Sequence, residues 1–483
     1  MSTRTPNDVP RVVVVGGGIT GLSAAWHLQC EAEVRDLSLQ VVVLERHHRW
    51  GGKIQTERIE GFGEPPFLVE AGPDALLERK ASARQLAREL GLEESTIGVN
   101  RANNRTYVLR DGILVLIPEG MPLLVPRNLT SFLRSPLFSW RGKLRILAEP
   151  FIPARHNSED ESLAAFIRRR FGDELLDRLA GALLGGVYNT DAERLSVEAA
   201  FPHLRDLERK HGSVTRGVCI LRRKQQEAPS PFFSFQNGLQ ELVETLLARL
   251  HADLRLNASV QRIAALDRGY RLDLVGNLTL DADAIIVTTP PAVASQLLAD
   301  VAPESSECLR QFRSSSIGTM ALGYRREDVP HPLDGFGLVI PARERRQIDG
   351  MTWASSKWDG RAPEGCVLLR VFFGGPHSKS TFEMDDASLE RVIRHELRSI
   401  LGISAVPLLT RIYRWKDGYP EYSLDRRNRV IDVIETELPP GIIVVGNAYR
   451  GVGVPDCIQE GKRAAQHIAS WLVERSDAIQ RPP

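Results

Sequence analysis

The stretch Arg11–Ala25, RVVVVGGGITGLSAA, decides the fold on which the rest of the chain is built. Its four consecutive valines are typical of a central parallel strand that is buried on both faces. Gly16, Gly18 and Gly21 follow at the spacing G-x-G-x-x-G, and a helix is predicted over Leu22–Leu28. In such a turn one glycine permits the tight bend, one admits a pyrophosphate to the backbone, and one lets the helix pack on the strand. The stretch therefore predicts a dinucleotide site at a helix N-terminus, with a flexible turn as the alternative.

Two features just after this turn favour the dinucleotide site. The next apolar run, Leu39–Leu44, ends at Glu45, 24 residues after Gly21. A dinucleotide-binding fold places a carboxylate there to bind the ribose hydroxyls, and the alternative is a solvated strand end. The segment RWGGK (49–53) follows, and its glycine pair predicts a second close approach of backbone to phosphate, with Arg49 and Lys53 as counter-charges.

A second anion site is predicted near the C-terminus. A buried strand over Ile442–Val445 leads into the segment RGVGVPDC, whose Gly451 and Gly453 let the backbone approach a ligand. The helix that begins near Pro455 directs its N-terminus at that ligand. We therefore expect the two glycine turns, distant in sequence, to bind the same cofactor.

The composition excludes several classes of protein. Lys and Arg number 62 against 61 Asp and Glu, so the chain as a whole offers no basic face for nucleic acid. The five scattered cysteines form no C-x-x-C, and no H-E-x-x-H occurs, so neither a metal site nor a disulfide framework is indicated. No apolar run is long enough to span a bilayer. These features predict a cytoplasmic protein of two or three domains.

The middle of the chain differs from its beginning in the secondary structure that its sequence predicts. A short hairpin is predicted over Arg105–Val108 and Gly112–Ile117, and Glu161–Val187 has a helical apolar period. We therefore interpret this region as a mainly helical insert. Inside it, Met121–Leu137 is rich in proline, apolar residues and arginine, and two interpretations stay open: a patch at a membrane interface or the lining of a substrate channel.

The Gly-rich turn, Glu45 and the R-x-G-G segment together resemble the fingerprint of the FAD-dependent amine oxidase and desaturase superfamily. Within that superfamily, four segments resemble the oxygen-dependent porphyrinogen oxidases of haem biosynthesis: GGVYNTDAERLSVEAAFP (185–202), GFGLVIP (335–341), RWKDGYPEY (414–422) and RGVGVPDC (450–457). The resemblance covers about residues 10–472. It implies non-covalent FAD and a six-electron oxidation of a porphyrinogen to a porphyrin, with O2 as acceptor and H2O2 as product.

The resemblance also bears on substrate and partners. A polar N-terminus without an organellar leader is expected of a bacterial protein, and by analogy coproporphyrinogen III is slightly favoured over protoporphyrinogen IX. The next enzyme of the haem pathway and a peripheral contact with the inner face of the membrane are further expected partners. Two alternatives remain: another flavin amine oxidase or desaturase, and a flavin-binding scaffold without turnover.

The resemblance implies a cofactor site in which the turn over Leu68–Asp74 passes near the flavin ring, Val260 holds the adenine through its backbone and Trp415 contacts the flavin. We interpret Cys457 as a packing residue, not a covalent tether. The full set of expected cofactor-binding residues is Gly16, Gly17, Gly18, Ile19, Thr20, Gly21, Glu45, Arg46, Arg49, Gly51, Gly52, Lys53, Gly72, Pro73, Asp74, Ala75, Val260, Trp415, Gly446, Val452, Gly453 and Val454.

The implied substrate site lies on other segments. Arg105 faces a propionate, and Gly186 lets the backbone approach the macrocycle. The pocket walls are Val339, Thr352 and Phe372. The alternatives for these five are a surface charge, a helix C-cap and ordinary core. No Ser/His/Asp or Cys/His signature supplies a base, so orientation is the main expected contribution of the protein to the flavin's chemistry.

The expected fold is α/β, with a discontinuous Rossmann-like FAD-binding domain, a sheet-based substrate domain and a mainly helical insert. The resemblance implies that the strand AIIV (284–287) rejoins the nucleotide-binding sheet. The predicted ranges are 1–99, 232–299 and 430–483 for the FAD-binding domain, 100–231 for the insert and 300–429 for the substrate domain.

Overall fold

The structure is a computed structural model that describes residues 9–103, 105–121, 124–155, 157, 159–222, 231–424 and 427–480. The strands along these residues are β1 (Arg11–Val15), β2 (Gln40–Leu44), β3 (Thr56–Ile59), β4 (Phe67–Glu70), β5 (Leu76–Leu77), β6 (Thr96–Gly98), β7 (Thr106–Arg110), β8 (Ile113–Leu116), β9 (Phe232–Phe235), β10 (Asp253–Arg255), β11 (Val260–Ala265), β12 (Tyr270–Leu274), β13 (Leu278–Ala282), β14 (Ala284–Val287), β15 (Ser314–Arg325), β16 (Gly337–Val339), β17 (Gly350–Trp353), β18 (Cys366–Phe373), β19 (Leu409–Pro420) and β20 (Ile442–Val444).

The helices along the same residues are α1 (Ile19–Val34), α2 (Ala81–Glu89), α3 (Leu129–Arg134), α4 (Trp140–Leu147), α5 (Leu163–Phe171), α6 (Asp173–Leu175), α7 (Gly181–Val187), α8 (Val197–Ala200), α9 (Pro202–His211), α10 (Val214–Arg222), α11 (Gln240–Arg249), α12 (Pro291–Leu298), α13 (Pro303–Arg310), α14 (Ala354–Lys357), α15 (Lys379–Phe382), α16 (Asp386–Leu401), α17 (Arg427–Glu437) and α18 (Val454–Gln480). A π-helical turn over Leu176–Ala180 joins α6 to α7.

A five-stranded parallel sheet lies at the centre of the first unit, in the order β10–β2–β1–β14–β20. The central strand β1 pairs on both edges, and its valines are almost fully buried because they alternate between two layers. Val12 and Val14 pack with helices α1, α11 and α18, whereas Val13 and Val15 pack with the three-stranded sheet β11–β12–β13 and helix α12. The expected discontinuous α/β unit is confirmed, because its sheet combines strands from three separate parts of the chain.

A seven-stranded sheet forms the second unit, in the order β19–β15–β18–β17–β16–β7–β8. Its pairs are antiparallel except for β16 and β7, which run parallel. Helix α16 packs on this sheet through Leu389, Ile393 and Leu397, and it ends where Gly402 adopts a left-handed conformation. The predicted hairpin is confirmed as β7 and β8, and it belongs to this sheet. The predicted domain ranges stay a prediction. Pairing of β7 with β16 places residues 106–116 in the same sheet as the strands of 314–420.

The helical insert between β8 and β9 has a core of its own, which contains residues from α3 to α10. Beside that core lies a buried network of ion pairs. Glu149 pairs with Arg170, and both side chains are inaccessible to solvent. The Ser213 hydroxyl donates to Glu149 at 2.5 Å, while Arg205 reaches Glu208 at 2.9 Å. These pairs fix the insert's helices against one another, because removing one partner would leave the other charge buried and uncompensated.

Local details differ from the sequence-based predictions in three places. The sequence predicts a helix over Ser82–Leu92, but α2 ends at Glu89. It also predicts a strand over Met351–Ser355, but the strand ends at Trp353 and the helical turn α14 begins at Ala354. The twelve-residue strand β19 was not predicted as a strand, because its segment RWKDGYP reads as polar turn sequence. Among the described residues, no helix is both long and apolar enough to cross a membrane, and no group of three His, Cys, Asp or Glu side chains is placed to hold a metal ion.

Candidate active site

The turn between β1 and α1 has the geometry that its glycines predict. Gly16 has φ +116°, in the region that favours glycine. A β-carbon on Gly21 would lie 1.9 Å from the Gly16 carbonyl oxygen, so the third glycine is required for helix α1 to approach the strand. A β-carbon on Gly18 would meet nothing closer than the Gly52 Cα at 3.9 Å. Packing therefore does not require glycine at Gly18, and the space that it leaves suits a ligand group at the N-terminus of α1.

Glu45 ends β2 beside this turn, and its side chain is buried. One carboxylate oxygen accepts the backbone N–H of Gly17 at 2.7 Å, and the other accepts that of His47 at 2.9 Å. The alternative of a solvated strand end is therefore wrong. Each carboxylate oxygen can accept further hydrogen bonds, so the group still fits the predicted ribose hydroxyls.

The glycine-pair loop lies against the first turn. The Gly51 N–H donates to the Gly17 carbonyl at 2.8 Å, and Gly51 bridges to Gly18 as a parallel strand pair would. Arg49 donates from its guanidinium to the carbonyls of Trp50 and Ile54, at 3.1 and 3.2 Å, and to that of Gly52. The structure thus uses Arg49 to hold the loop in shape.

The turn after β4 is held by side chains of the second unit. The Ala71 carbonyl accepts the Thr319 hydroxyl and the Trp415 indole N–H, each at 3.0 Å. The Gly72 carbonyl accepts a guanidinium N–H of Arg370. Ala71 and Gly72 are therefore tied to the seven-stranded sheet.

Asp74 completes this connection through an ion pair. Its carboxylate lies 3.0 Å from the Lys357 amine and 3.9 Å from the Arg370 guanidinium. Burial alone would raise the pKa of Asp74, but the two cations lower it to about 2. Asp74 is therefore ionised at neutral pH, and its charge is matched by these partners.

The C-terminal glycine turn is braced by an aromatic residue. The Tyr422 hydroxyl accepts the Gly451 N–H at 2.9 Å and donates to the Asn447 carbonyl at 2.8 Å. Helix α18 then begins, and the Gly453 N–H donates to the Asp456 carboxylate at 3.1 Å. Burial raises the pKa of the Cys457 thiol to about 11, so the sulfur is protonated and a poor nucleophile.

One cavity of about 1540 Å³ joins these glycine turns to the second sheet. Its lining includes most of the predicted cofactor residues, namely Gly16, Gly18, Ile19, Thr20, Glu45, Arg46, Arg49, Gly51, Gly52, Lys53, Gly72, Pro73, Asp74, Ala75, Val260, Trp415, Val452, Gly453 and Val454. Gly17, Gly21 and Gly446 are not among the lining residues; they shape the turns behind it.

The far wall of the same cavity holds four of the five predicted substrate residues. Val339, Thr352 and Phe372 lie on the neighbouring strands β16, β17 and β18, and Gly186 lies in α7 with open space where a β-carbon would stand. The structure does not bring Arg105 to this wall. Its guanidinium is half-exposed and pairs with Asp334 at 2.5 Å.

The sequence analysis missed several polar residues that line the cavity. Asp349 accepts the Ser378 hydroxyl at 2.7 Å and the Gly375 N–H at 2.8 Å, and burial raises its pKa. Arg370 and His377 also face the cavity. No local motif marks these residues, because the strands and loops that carry them meet only in the folded sheet.

The site fits a dinucleotide that lies between two glycine turns and two helix N-termini, with a second compartment beside its far end. Such a fold and site define an oxidoreductase that works with a bound dinucleotide cofactor. The family model for flavin containing amine oxidoreductases matches residues 19–469. The chain therefore belongs to the family of flavin-containing amine oxidoreductases, and FAD is its cofactor.

Individual relatives lie among the porphyrinogen oxidases, which confirms the resemblance. The chain is 34% identical to coproporphyrinogen III oxidase of Bacillus subtilis (strain 168), over 95% of this chain and 98% of that one. It is 26% identical to protoporphyrinogen oxidase 2 of Arabidopsis thaliana, over 96% and 94%. A crystal structure from Exiguobacterium sp. 255-15, described as a protoporphyrinogen oxidase, superposes with a TM-score of 0.83 at 30% identity, covering 96% of this chain and 99% of that one.

Proposed function

We propose that this enzyme oxidises a porphyrinogen to the porphyrin, removing six electrons in three steps, with coproporphyrinogen III preferred to protoporphyrinogen IX. O2 reoxidises the flavin and yields H2O2. The observation that carries the proposal is the single cavity that runs from the glycine turns to the wall of β16–β18. A volume of about 1540 Å³ leaves room for a macrocycle beside the cofactor.

The assignment of residues within the cavity is part of this proposal. Gly18 and Gly52 receive the pyrophosphate, Glu45 binds the ribose, and Val260 lies at the adenine. The turn Ala71–Asp74 and Trp415 lie along the flavin ring. Bound FAD would supply the hydride acceptor, and the protein's residues supply position and exclusion of water.

The substrate's contacts are proposed for the far wall. Phe372 offers an aromatic surface, and Val339 with Thr352 confines the disc between β16 and β17. Gly186 lets the macrocycle lie close to α7, since no atom lies within 4 Å of the position of its missing β-carbon. The preference for coproporphyrinogen III is supported by the higher identity to the enzyme named for that substrate.

The test is aerobic turnover of the purified flavoprotein with each porphyrinogen in parallel, followed by porphyrin fluorescence and peroxide together. We expect coproporphyrinogen III to be oxidised faster, with three peroxides formed per porphyrin because each two-electron step reduces one O2. Gly18→Val, which should hold no flavin, is the matched control for spontaneous oxidation. If a flavin-loaded enzyme oxidises neither porphyrinogen faster than this control, the proposal fails and an amine substrate or a scaffold role takes its place.

We further propose a cytoplasmic enzyme that contacts the membrane surface and the next enzyme of the haem pathway through the helical insert. No residue in the described part of Met121–Leu137 lines the cavity, and Pro122 and Leu123 lie outside the described residues. Most apolar residues of the segment are buried in the core of the insert, but Leu129 and Leu133 on α3 are exposed, which supports the surface interpretation for that part of it. Trp140 and Leu144, one turn apart on α4, are each 66% exposed. Exposed apolar side chains beside arginines suit the interface of an anionic bilayer.

Sedimentation with anionic vesicles tests this contact. Trp140→Ser with Leu144→Ser should release the protein into the supernatant, whereas Ser substitution of the exposed Val406, outside the insert, should not. Equal sedimentation of both variants would remove the insert from the membrane contact. The proposed domain ranges are tested by limited proteolysis, since cleavage is expected between units more often than within them.

A further inference from the structure

Lys53 differs from the other cations of the cofactor site, because no anion is paired with it among the described residues. It lines the cavity, and the titratable neighbour that acts on it is the Cys457 thiol. That thiol is protonated at neutral pH and carries no charge to neutralise the amine. Arg49, in contrast, donates to three backbone carbonyls and interacts with the charge of the Glu45 carboxylate. A lysine held in a cavity without a partner indicates a ligand that supplies the negative charge.

The side chain of Lys53 extends from the glycine-pair loop towards the second unit. Its Cε lies 3.2 Å from the position that a β-carbon would take on Gly418, in the cavity-lining part of β19. On the other side, the Lys53 carbonyl lies 1.9 Å from the position of a β-carbon on Gly72. Glycine is therefore required at Gly72 by the Lys53 backbone, and the Lys53 side chain passes close to Gly418.

This position is at the junction of the two units. The glycine-pair loop reaches the N-terminus of α1 through Gly18, which marks the pyrophosphate end. The Lys53 side chain instead approaches β19 and the first turn of α18, where Cys457 lies. The cofactor ring must meet its substrate where the nucleotide unit and the substrate sheet face each other. The amine therefore lies near the reacting end of the cofactor.

The other charges at this end do not neutralise the amine. Asp74 is the nearby carboxylate on the adjoining turn, and Lys357 and Arg370 already hold it. Lys357, Arg370 and Lys53 are positively charged and Asp74 is negatively charged, so this part of the cavity has an excess of positive charge. Burial also lowers the pKa of the Lys53 amine, as expected for a cation that lacks a counter-ion.

We propose that Lys53 stabilises the negative charge that the bound flavin ring acquires on reduction, and that it does not serve as a counter-charge for the pyrophosphate. A hydride carries two electrons and one proton from a carbon of the donor to the neutral oxidised ring, which becomes an anion. The donor is left with a positive charge and then loses a proton. A cation beside the ring favours the electron-rich product over the neutral starting state.

The inference rests on the proposed function only for the direction of electron flow, and its test needs no porphyrinogen. Sulfite is the probe: its sulfur lone pair forms a bond to the oxidised ring, and the adduct carries the added negative charge on the ring. Bleaching of the visible flavin absorbance gives a dissociation constant. We expect Lys53→Met to weaken sulfite binding at least about tenfold, since a cation within a few ångströms is lost. Lys53→Arg, which keeps the charge, should stay close to the wild type.

The matched control is Lys416→Met, the same substitution at an exposed lysine that lines the same cavity. Solvent screens its charge, so sulfite affinity should stay within about twofold of the wild type. The FAD dissociation constants of all variants are measured in parallel. If Lys53 acts on the flavin ring, Lys53→Met should retain FAD and bind sulfite more weakly. If Lys53 is instead a counter-charge for the pyrophosphate, the variant should lose FAD, and the molecules that still hold FAD should bind sulfite as the wild type does.

Three results would overturn the inference. The first is a Lys53→Met enzyme that binds sulfite as the wild type does. The second is a folded variant, judged by circular dichroism, that no longer holds FAD. The third needs no variant: a wild-type flavoprotein that shows no sulfite bleaching lacks the predicted charge. A protein that binds sulfite as expected but oxidises no porphyrinogen would refute the proposed function and leave this inference intact.

Discussion

Asp74→Asn is the perturbation that most directly tests how the two units are joined. The carboxylate is largely buried, 19% exposed, and it is held by Lys357 at 3.0 Å and Arg370 at 3.9 Å. Its pKa falls from the ordinary 3.8 to about 2. Because each pKa unit is worth ~1.36 kcal/mol, the folded state favours the ionised form by about 2.5 kcal/mol. We expect Asp74→Asn to lower the free energy of unfolding at pH 7 by about 2–4 kcal/mol, since two buried cations lose their counter-ion.

The pH dependence has a definite sign. A carboxyl whose pKa is lowered by folding stabilises the protein above its unfolded pKa, and that contribution disappears as the pH falls. The wild type should therefore lose about 2.5 kcal/mol relative to Asp74→Asn, progressively between about pH 5 and pH 1. Urea unfolding followed by tryptophan fluorescence measures both effects, because Trp358 and Trp415 lie beside the connection.

A double-mutant cycle separates this ion pair from a general effect of substitution. Lys357→Met alone should also destabilise the protein. The double variant should be destabilised by less than the sum of the two single effects, because each single variant leaves one member of the pair without the other, whereas the double variant removes both. The reasoning is refuted if Asp74→Asn changes the free energy of unfolding by less than about 0.5 kcal/mol, or if the two effects are additive. Either result would mean that the turn is held by Ala71 and Gly72 alone.

The other predictions concern single positions. Gly18→Val should keep the apoprotein's melting temperature and abolish FAD binding, whereas Gly21→Val should destabilise the apoprotein by several kcal/mol; equal melting temperatures would contradict this. Glu149→Gln should cost about 3–5 kcal/mol, with faster amide exchange in the helical insert, and unchanged exchange would count against the buried network. Arg105→Ala should leave KM for the porphyrinogen unchanged and stability within ~1 kcal/mol, and a raised KM would restore its predicted propionate contact. Burial raises the pKa of Glu70 to about 7, so stability should fall by up to about 3 kcal/mol from pH 4.5 to pH 7, and Glu70→Gln should remove that fall.

The cofactor half of the molecule could be predicted because its signals are local. The four valines of β1, the three glycines after them and the position of Glu45 each follow from chain geometry within a few residues. The glycine turn before α18 was found in the same way. Burial on both faces of a parallel strand leaves a continuous apolar run, which few other structures produce.

The second unit was harder to predict, because its partners are far apart in sequence. Asp74 and Lys357 are separated by 283 residues, and no pattern within either segment shows that they meet. Strand β19 carries charged and turn-forming residues along an edge of the sheet, so it lacks the apolar run of a central strand. Arg105 was assigned by resemblance alone, and the fold directs its side chain to Asp334. The cavity wall of Val339, Thr352 and Phe372 was found only because the family motifs pointed to those strands.

The order of strands in the five-stranded sheet has a consequence for synthesis in the cell. Strand β20 and the start of α18 follow the entire seven-stranded sheet in the chain. Yet β20 pairs with β14, and the start of α18 borders the cofactor cavity. A chain emerging from the ribosome therefore presents β14 as an open, apolar sheet edge until Ile442–Val444 has been made. Capture of FAD is therefore expected to follow synthesis of β20 and the start of α18, and any product of premature termination before Ile442 is expected to be flavin-free and prone to aggregate.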